Sequence, residues 1–292
     1  MNQTITHKHL KRQFETFEET EDLSDLFTEL EYSTLLLPVD IGNDTLTFPI
    51  VSAEGMNFAP VFTDIHEYNK CNIPENYIPD TNSFDFYLRL LDERIDGIIV
   101  DVEGERFPLT RELREFIKPN DIFNYESITL TSEDIKKLKD SIDNSELEEF
   151  LADDSNHWDF EGLLSLLLKS NLFEIVLSRE DLSYKSEDGI IPLKDIGRLP
   201  TAMAGSMTQR YALLYTSESE IMPKKSPMHP YMRLVNLPEF IRGILTNDLD
   251  GIILNENSQN ITIPRKFLLH FLRNLESPDL NSYDDYAFPL TV

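Results

Sequence analysis

Phe58-Ala59-Pro60-Val61-Phe62-Thr63 and, 153 positions later, Tyr211-Ala212-Leu213-Leu214-Tyr215-Thr216 are the two stretches on which the fold turns. Each is a short apolar, aromatic run that ends at a threonine before acidic residues. That pattern predicts a buried strand leaving the core.

The correspondence continues outward at the same offset. Phe84, Tyr87, Leu88 and Leu91 are spaced i, i+3, i+4, i+7, which is one face of a helix. Leu237, Phe240, Ile241 and Ile244 repeat the spacing, and Arg89 falls on Arg242. Ser83 and Asn236 stand where a side-chain oxygen caps the first free N–H groups, and Pro238 sits in the first turn. One residue later in offset, Asp96-Gly97-Ile98-Ile99-Val100 aligns with Asp250-Gly251-Ile252-Ile253-Leu254. The glycine lets the chain leave the helix with unusual backbone angles before an apolar strand.

Glu103-Gly104-Glu105 and Asn257-Ser258-Gln259 then read as turns. Short strands follow (Arg106 to Leu109; Asn260 to Ile263), then helices from Arg111 to Ile117 and from Arg265 to Phe271. Upstream, a helix (Leu23 to Leu30; Phe160 to Leu168) leads to a strand (Leu35 to Val39; Phe173 to Leu177), and a second strand carries Pro49 or Pro200. The prediction is an α/β (α+β) fold of two tandem copies of a small module. Each copy has a mixed β-sheet flanked by helices, with a right-handed parallel crossover.

Around the copies the sequence reads as connectors. Residues 1–21 read as a flexible N-terminal arm, 22–120 as the first module and 121–155 as an acidic helical connector. Residues 156–276 form the second module and 277–292 a C-terminal tail, which Tyr283, Tyr286 and Phe288 could dock on a groove. Within the connector, Ile135, Leu138 and Ile142 predict one helix from Thr131 to Leu151.

Both modules resemble the SseB N-terminal domain family. The carrying residues are Ala59 to Thr63, the strands Asp96 to Val100 and Asp250 to Leu254, and Ile261 to Leu272. In the family that last segment is an apolar strand, a proline, a basic residue and a helix. Pro264 and Arg265 fit, whereas the first copy has Thr110 before Arg111. The resemblance implies a fold and no reaction, because the family offers no catalytic residues to carry over.

Composition narrows the function. Of 292 residues 53 are Asp or Glu and 26 Lys or Arg, a formal charge of −27. That charge opposes binding to nucleic acid and to anionic membrane surfaces, and suits a basic protein partner. Cys71 is the one cysteine, which fits a reducing, cytoplasmic compartment. The basic N-terminus (His7, Lys8, His9, Lys11, Arg12) has no apolar run behind it and does not read as a signal peptide.

No catalytic, cofactor or metal motif emerges. HExxH, GxSxG and the phosphate-binding glycine loops are absent from the sequence. Asp248 and Asp250 before Gly251 imitate part of a calcium loop, but Thr246 and Asn257 occupy ligand positions. Asp101, Glu103 and Glu105 alternate to one side and read as a solvated hairpin.

The expected function is a non-catalytic protein–protein interaction or scaffold role, as a monomer or homodimer. Its partner would contact loops found only in the second copy: Lys185 to Gly205, and Met222 to Pro230 with Lys224, Lys225, Met228 and the adjacent Tyr231. The alternative is a small-ligand-binding protein or enzyme with its site in the groove between the modules.

Overall fold

The computed structural model describes residues 7–20, 23–42, 45–53, 55–83, 95–102, 107–110, 137, 142–153, 159–183, 190–192, 201–206, 208–221, 228–275 and 286–289. The chain divides into two compact units, Met1–Ile122 with Leu245–Asp248, and Phe123–Ile244 with Leu249–Val292. Helices and mixed sheets make the fold α+β.

Unit 1 opens with α1 (Lys8–Thr20) and α2 (Leu23–Glu31), then β1 (Thr34–Gly42), β2 (Thr45–Thr47), β3 (Val51–Ala53) and β4 (Met56–Val61). A short helix α3 (Ile65–Lys70) and β5 (Ile78–Ser83) lead on to β6 (Gly97–Val100) and β7 (Phe107–Thr110). One sheet has the order β3-β4-β6-β7 and the other β2-β1-β5. β4 and β6 are parallel, as the crossover spacing predicts; the other pairs are antiparallel. The two sheets meet where Leu36 and Phe62 exchange both backbone hydrogen bonds, at 2.8 and 2.9 Å.

Unit 2 repeats this plan. α4 (Ser145–Ala152), α5 (Phe160–Lys169) and β8 (Leu172–Ser178) precede β9 (Ile191–Pro192), β10 (Met203–Gly205) and β11 (Arg210–Leu214). After β12 (His229–Val235) come α6 (Leu237–Thr246), β13 (Gly251–Leu254), β14 (Ile261–Pro264), α7 (Arg265–Asn274) and β15 (Tyr286–Pro289). The order β10-β11-β13-β14 matches β3-β4-β6-β7 strand for strand, parallel pair included. Phe173 and Tyr215 exchange backbone hydrogen bonds as Leu36 and Phe62 do.

Three sequence boundaries need correction. Within the N-terminal arm, Lys8–Thr20 is helix α1, with Leu10 and Phe14 buried (1% and 3% exposed) in one core with Leu26, Leu30, Leu35 and Leu37. Their i, i+4 spacing gives the helix its apolar stripe. The acidic connector does not form one helix, since Ile142 to Asn144 are non-helical and α4 starts at Ser145. The C-terminal tail contributes β15, which pairs with β12 and β9 inside the sheet β8-β12-β15-β9.

Helices α1 and α4 hold matching positions. At a constant offset of 137, buried Leu10 and Phe14 fall on buried Leu147 and Leu151, and Leu26 and Leu30 on Leu163 and Leu167. Ser33 and Ser170 hold the same place: each hydroxyl donates to the carbonyl four residues back, at 2.7 and 2.8 Å. A helical hairpin thus precedes the first long strand in both units.

The glycines opening β6 and β13 answer two needs. A Cβ on Gly97 would collide with the backbone of Leu109 and Thr110, and one on Gly251 with that of Ile263. Only Gly251 has a positive φ, +148°. Close approach of the antiparallel neighbour is therefore the shared requirement, rather than the helix exit expected from sequence. The reading of the second upstream strand is also adjusted: Pro49 lies just before β3, and Pro200 is outside the described residues. Also outside them are the first-copy helices expected around Phe84 to Leu91 and from Arg111 to Ile117.

Candidate functional site

The carboxyl ends of the parallel strands are where open α/β sheets place their ligands. In unit 1, β4 runs into Thr63 and Asp64, and β6 into Asp101. Asp101 has φ +50°, a left-handed conformation that Asp and Asn tolerate better than most residues. Its buried carboxylate (5% exposed) accepts from the Thr63 N–H at 2.9 Å and the Thr63 hydroxyl at 2.7 Å. Its own N–H donates to the Val61 carbonyl at 3.0 Å. The two strand ends are clasped together.

Asp64 caps α3, accepting from the N–H groups of His66 and Glu67 at 2.7 and 2.9 Å. Lys11, on α1, places its Nζ 2.6 Å from Asp64 Oδ2 and 3.6 Å from Glu67 Oε1. Burial opposes charge on Lys11, but the Asp64 hydrogen bond and the fields of Asp64, Asp101 and Glu67 outweigh it and raise the pKa. Burial likewise pushes Asp64 up, and its hydrogen bonds from Lys11, Glu67 and His66 bring it below the ordinary carboxylate value. For Asp101 burial wins: its pKa is raised, with repulsion from Glu67 adding to the effect and the Thr63 bonds opposing it.

Unit 2 closes the same turn without charge. Asn255, also at φ +50°, accepts from the Thr216 N–H at 3.0 Å, and its Nδ2 donates to Thr216 Oγ1 at 3.0 Å. Aligned by the repeat, Asp64 falls on Ser217, Asp101 on Asn255, Glu67 on Glu220 and Lys11 on Glu148. The fold therefore needs a Thr–Asx clasp here and does not need the lysine–carboxylate cluster. The cluster is particular to unit 1, which makes it the candidate site. It can hold a primary ammonium; among the described residues no group of three or more His, Cys, Asp and Glu could hold a metal ion.

A second buried charge lies in unit 2. Glu174 on β8, 1% exposed, accepts from Arg233 on β12 through Nε at 2.8 Å and through a second guanidinium nitrogen. The two residues are direct partners across the strands, where unit 1 has Leu37 opposite Asp80.

The sequence-level candidates fare differently. Lys224 and Lys225 lie outside the described residues, and Met228 is half-buried. Tyr231 is not a surface contact: it is 3% exposed, packs with Val176, Leu182 and Ile191, accepts from the Leu182 N–H and donates to Asp181. β12 is buried on both faces at this point, with Tyr231 in one apolar cluster and the adjacent Met232 in another. Asp101 is buried rather than solvated, and Glu103 and Glu105 are outside the described residues. The Lys185 to Gly205 insertion is partly structural, because β10 is the counterpart of β3. Cys71 is half-buried against the Phe62 and Tyr68 cluster.

Arg265, the basic residue after the proline, is buried and donates to the carbonyls of Ile244 and Leu249 at 3.5 and 3.2 Å. It satisfies the end of α6, a structural role that explains a basic residue at that position. Sequence reasoning missed Lys11, although the Leu10–Phe14 spacing and its recurrence at Leu147–Leu151 marked the helix that carries it.

No family model, curated protein or solved structure matches the chain. Among the described residues no helix is long and apolar enough to cross a membrane.

Proposed function

We propose that the chain is a non-catalytic binding or scaffold protein of SseB-like tandem modules, acting in the cytoplasm on a partner with a basic surface. The observation that carries the reading is the Lys11 ammonium held among Asp64, Glu67 and Asp101, where unit 2 has no lysine and replaces Asp64 and Asp101 by Ser217 and Asn255. In this reading Lys11 stands in for a partner's lysine. The formal charge of −27 supplies the long-range attraction that brings such a partner in.

Affinity capture from the native host at low and moderate salt tests it, comparing the wild-type chain with Asp64→Asn/Glu67→Gln and with Lys11→Ala. A stoichiometric protein lost with the double variant, enriched with Lys11→Ala and weakened by salt supports the reading. A partner indifferent to all three substitutions overturns it. If instead a metabolite co-purifies and raises the melting temperature, the small-ligand alternative takes its place.

A further inference from the structure

The two units differ at one sheet edge. β5 and β12 are counterparts, and both pair antiparallel with the long first strand, β1 or β8. β12 carries a further strand, β15, in the register Tyr231↔Pro289, Met232↔Phe288, Arg233↔Ala287. Among the described residues β5 pairs with β1 alone.

Backbone alternation explains the difference. Leu36 turns its N–H and C=O toward Phe62, away from β5, so Pro38, two residues on, also turns away. Pro79, directly opposite Pro38, then faces the outer edge of β5, where it has no N–H to give. The same alternation from Phe173 and Tyr215 turns the backbone of Met232, the counterpart of Pro79, outward to β15. One edge is closed by a proline, and the other accepts a strand.

The accepted strand is short. β15 pairs over three residues with β12 and two with β9. Residues 275–285 separate it from α7, and a stretch of that length reaches roughly 35 Å when extended. When β15 leaves, β12 exposes an edge for which a second copy carries the same complement in the same register. We propose that β15 is an exchangeable strand and that its partner is a second copy of this chain, the two copies trading residues 286–289 across their β12 edges. Both copies carry a charge of −27, so exchange is favoured by salt.

Paired single-cysteine chains test this, each also carrying Cys71→Ser. One has Met232→Cys and the other Phe288→Cys; directly opposed residues of a hydrogen-bonded pair lie about 5.5 Å apart at Cα, within disulfide reach. The chains are mixed at high concentration in 0.5 M salt and then oxidised with diamide. The expected result is a covalent heterodimer on a non-reducing gel, at least fivefold above the homodimer either chain gives alone. Adding Phe288→Pro, in a chain still carrying Met232→Cys, to compete for the same edge should not reduce it, because that strand lacks the N–H that pairs with Met232. Both cysteines in one dilute chain should form an intrachain bond. An intrachain bond without heterodimer overturns the exchange, and absence of both bonds overturns it by removing the docked strand.

Discussion

Replacing Gly251 by alanine tests the close packing that both units impose at the start of the second parallel strand. The new Cβ would fall well inside contact with the Ile263 carbonyl oxygen, and 3.1 and 3.2 Å from Ile263 C and Arg265 N. β14 must retreat by about 1 Å to restore an ordinary contact. That retreat strains the adjoining Arg265 N–H bond to the Asp250 carbonyl, now 2.8 Å, whose net worth is about 1 kcal/mol. A non-glycine residue at φ +148° adds roughly 1–3 kcal/mol of backbone strain. The expected loss is about 3 kcal/mol, a fall in melting temperature of roughly 6–12 °C for a unit of this size. At Gly243, inside α6, an added methyl would meet nothing within 4 Å. Gly243→Ala should therefore gain about 0.5–1 kcal/mol from helix propensity. Urea unfolding of the full chain, followed by near-ultraviolet and far-ultraviolet signals together, gives both values. If Gly251→Ala costs no more than 1 kcal/mol, the packing argument for both Gly97 and Gly251 is wrong.

Leu10→Ala should cost about 2–5 kcal/mol in the same assay, as for a core leucine; an effect under 0.5 kcal/mol would return α1 to the periphery. Lys11 has a raised pKa, so its contribution is complete below pH 10.5 and is lost as pH rises through the folded value. The stability gap between wild type and Lys11→Met should therefore shrink in alkali, and a gap constant to pH 12 would contradict the ion pair. Asp101 has the same sign in a lower window: its folded pKa is raised above 3.8, so ionisation costs stability as pH rises through that window. Asp101→Asn should keep the Thr63 clasp and gain on wild type from pH 4 upward, as measured by melting temperature against pH. Arg233→Ala should cost about 3–5 kcal/mol by stranding Glu174, whereas Glu174→Leu/Arg233→Met should be near neutral; equal losses in the two variants would show that the pair itself stabilises unit 2.

The strands and the parallel crossover were legible because burial on both faces writes an apolar run that little else produces. Ile98 to Val100 and Ile252 to Leu254 could hardly be anything else, and their pairing with β4 and β11 follows from the spacing. The α1 and α4 hairpin arms were not legible one at a time, because among the described residues each shows two buried positions amid charges, Leu10 and Phe14 or Leu147 and Leu151, and the recurrence at an offset of 137 is what marks them. Such a stripe has almost no contrast until its partner helix is known. β15 was missed for a different reason: strand addition at an edge is a backbone event, and the side chains of a four-residue segment hardly encode it. The site was missed because it joins Lys11 to Asp64 across 53 positions, and nothing local marks a lysine whose partners are so distant.

Comparing the two units separates what the fold demands from what one unit adds. Both retain the Thr–Asx clasp, a carboxylate at each opening end (Asp96 on the Asn57 N–H, Asp250 on the Arg210 N–H) and the crowded glycine. These positions hold the parallel pair in register and explain their recurrence without any appeal to chemistry. The differences point the other way. Unit 1 places its charges at the strand ends, with Lys11 among three carboxylates, and closes its β5 edge with Pro79. Unit 2 replaces Asp64 and Asp101 by Ser217 and Asn255 and lacks the lysine, carries its buried charge at Glu174 and Arg233, and pairs β12 with a further strand. On the reading proposed above, one unit would offer an acidic ammonium site and the other a strand-accepting edge, two distinct contacts that two identical modules would not have.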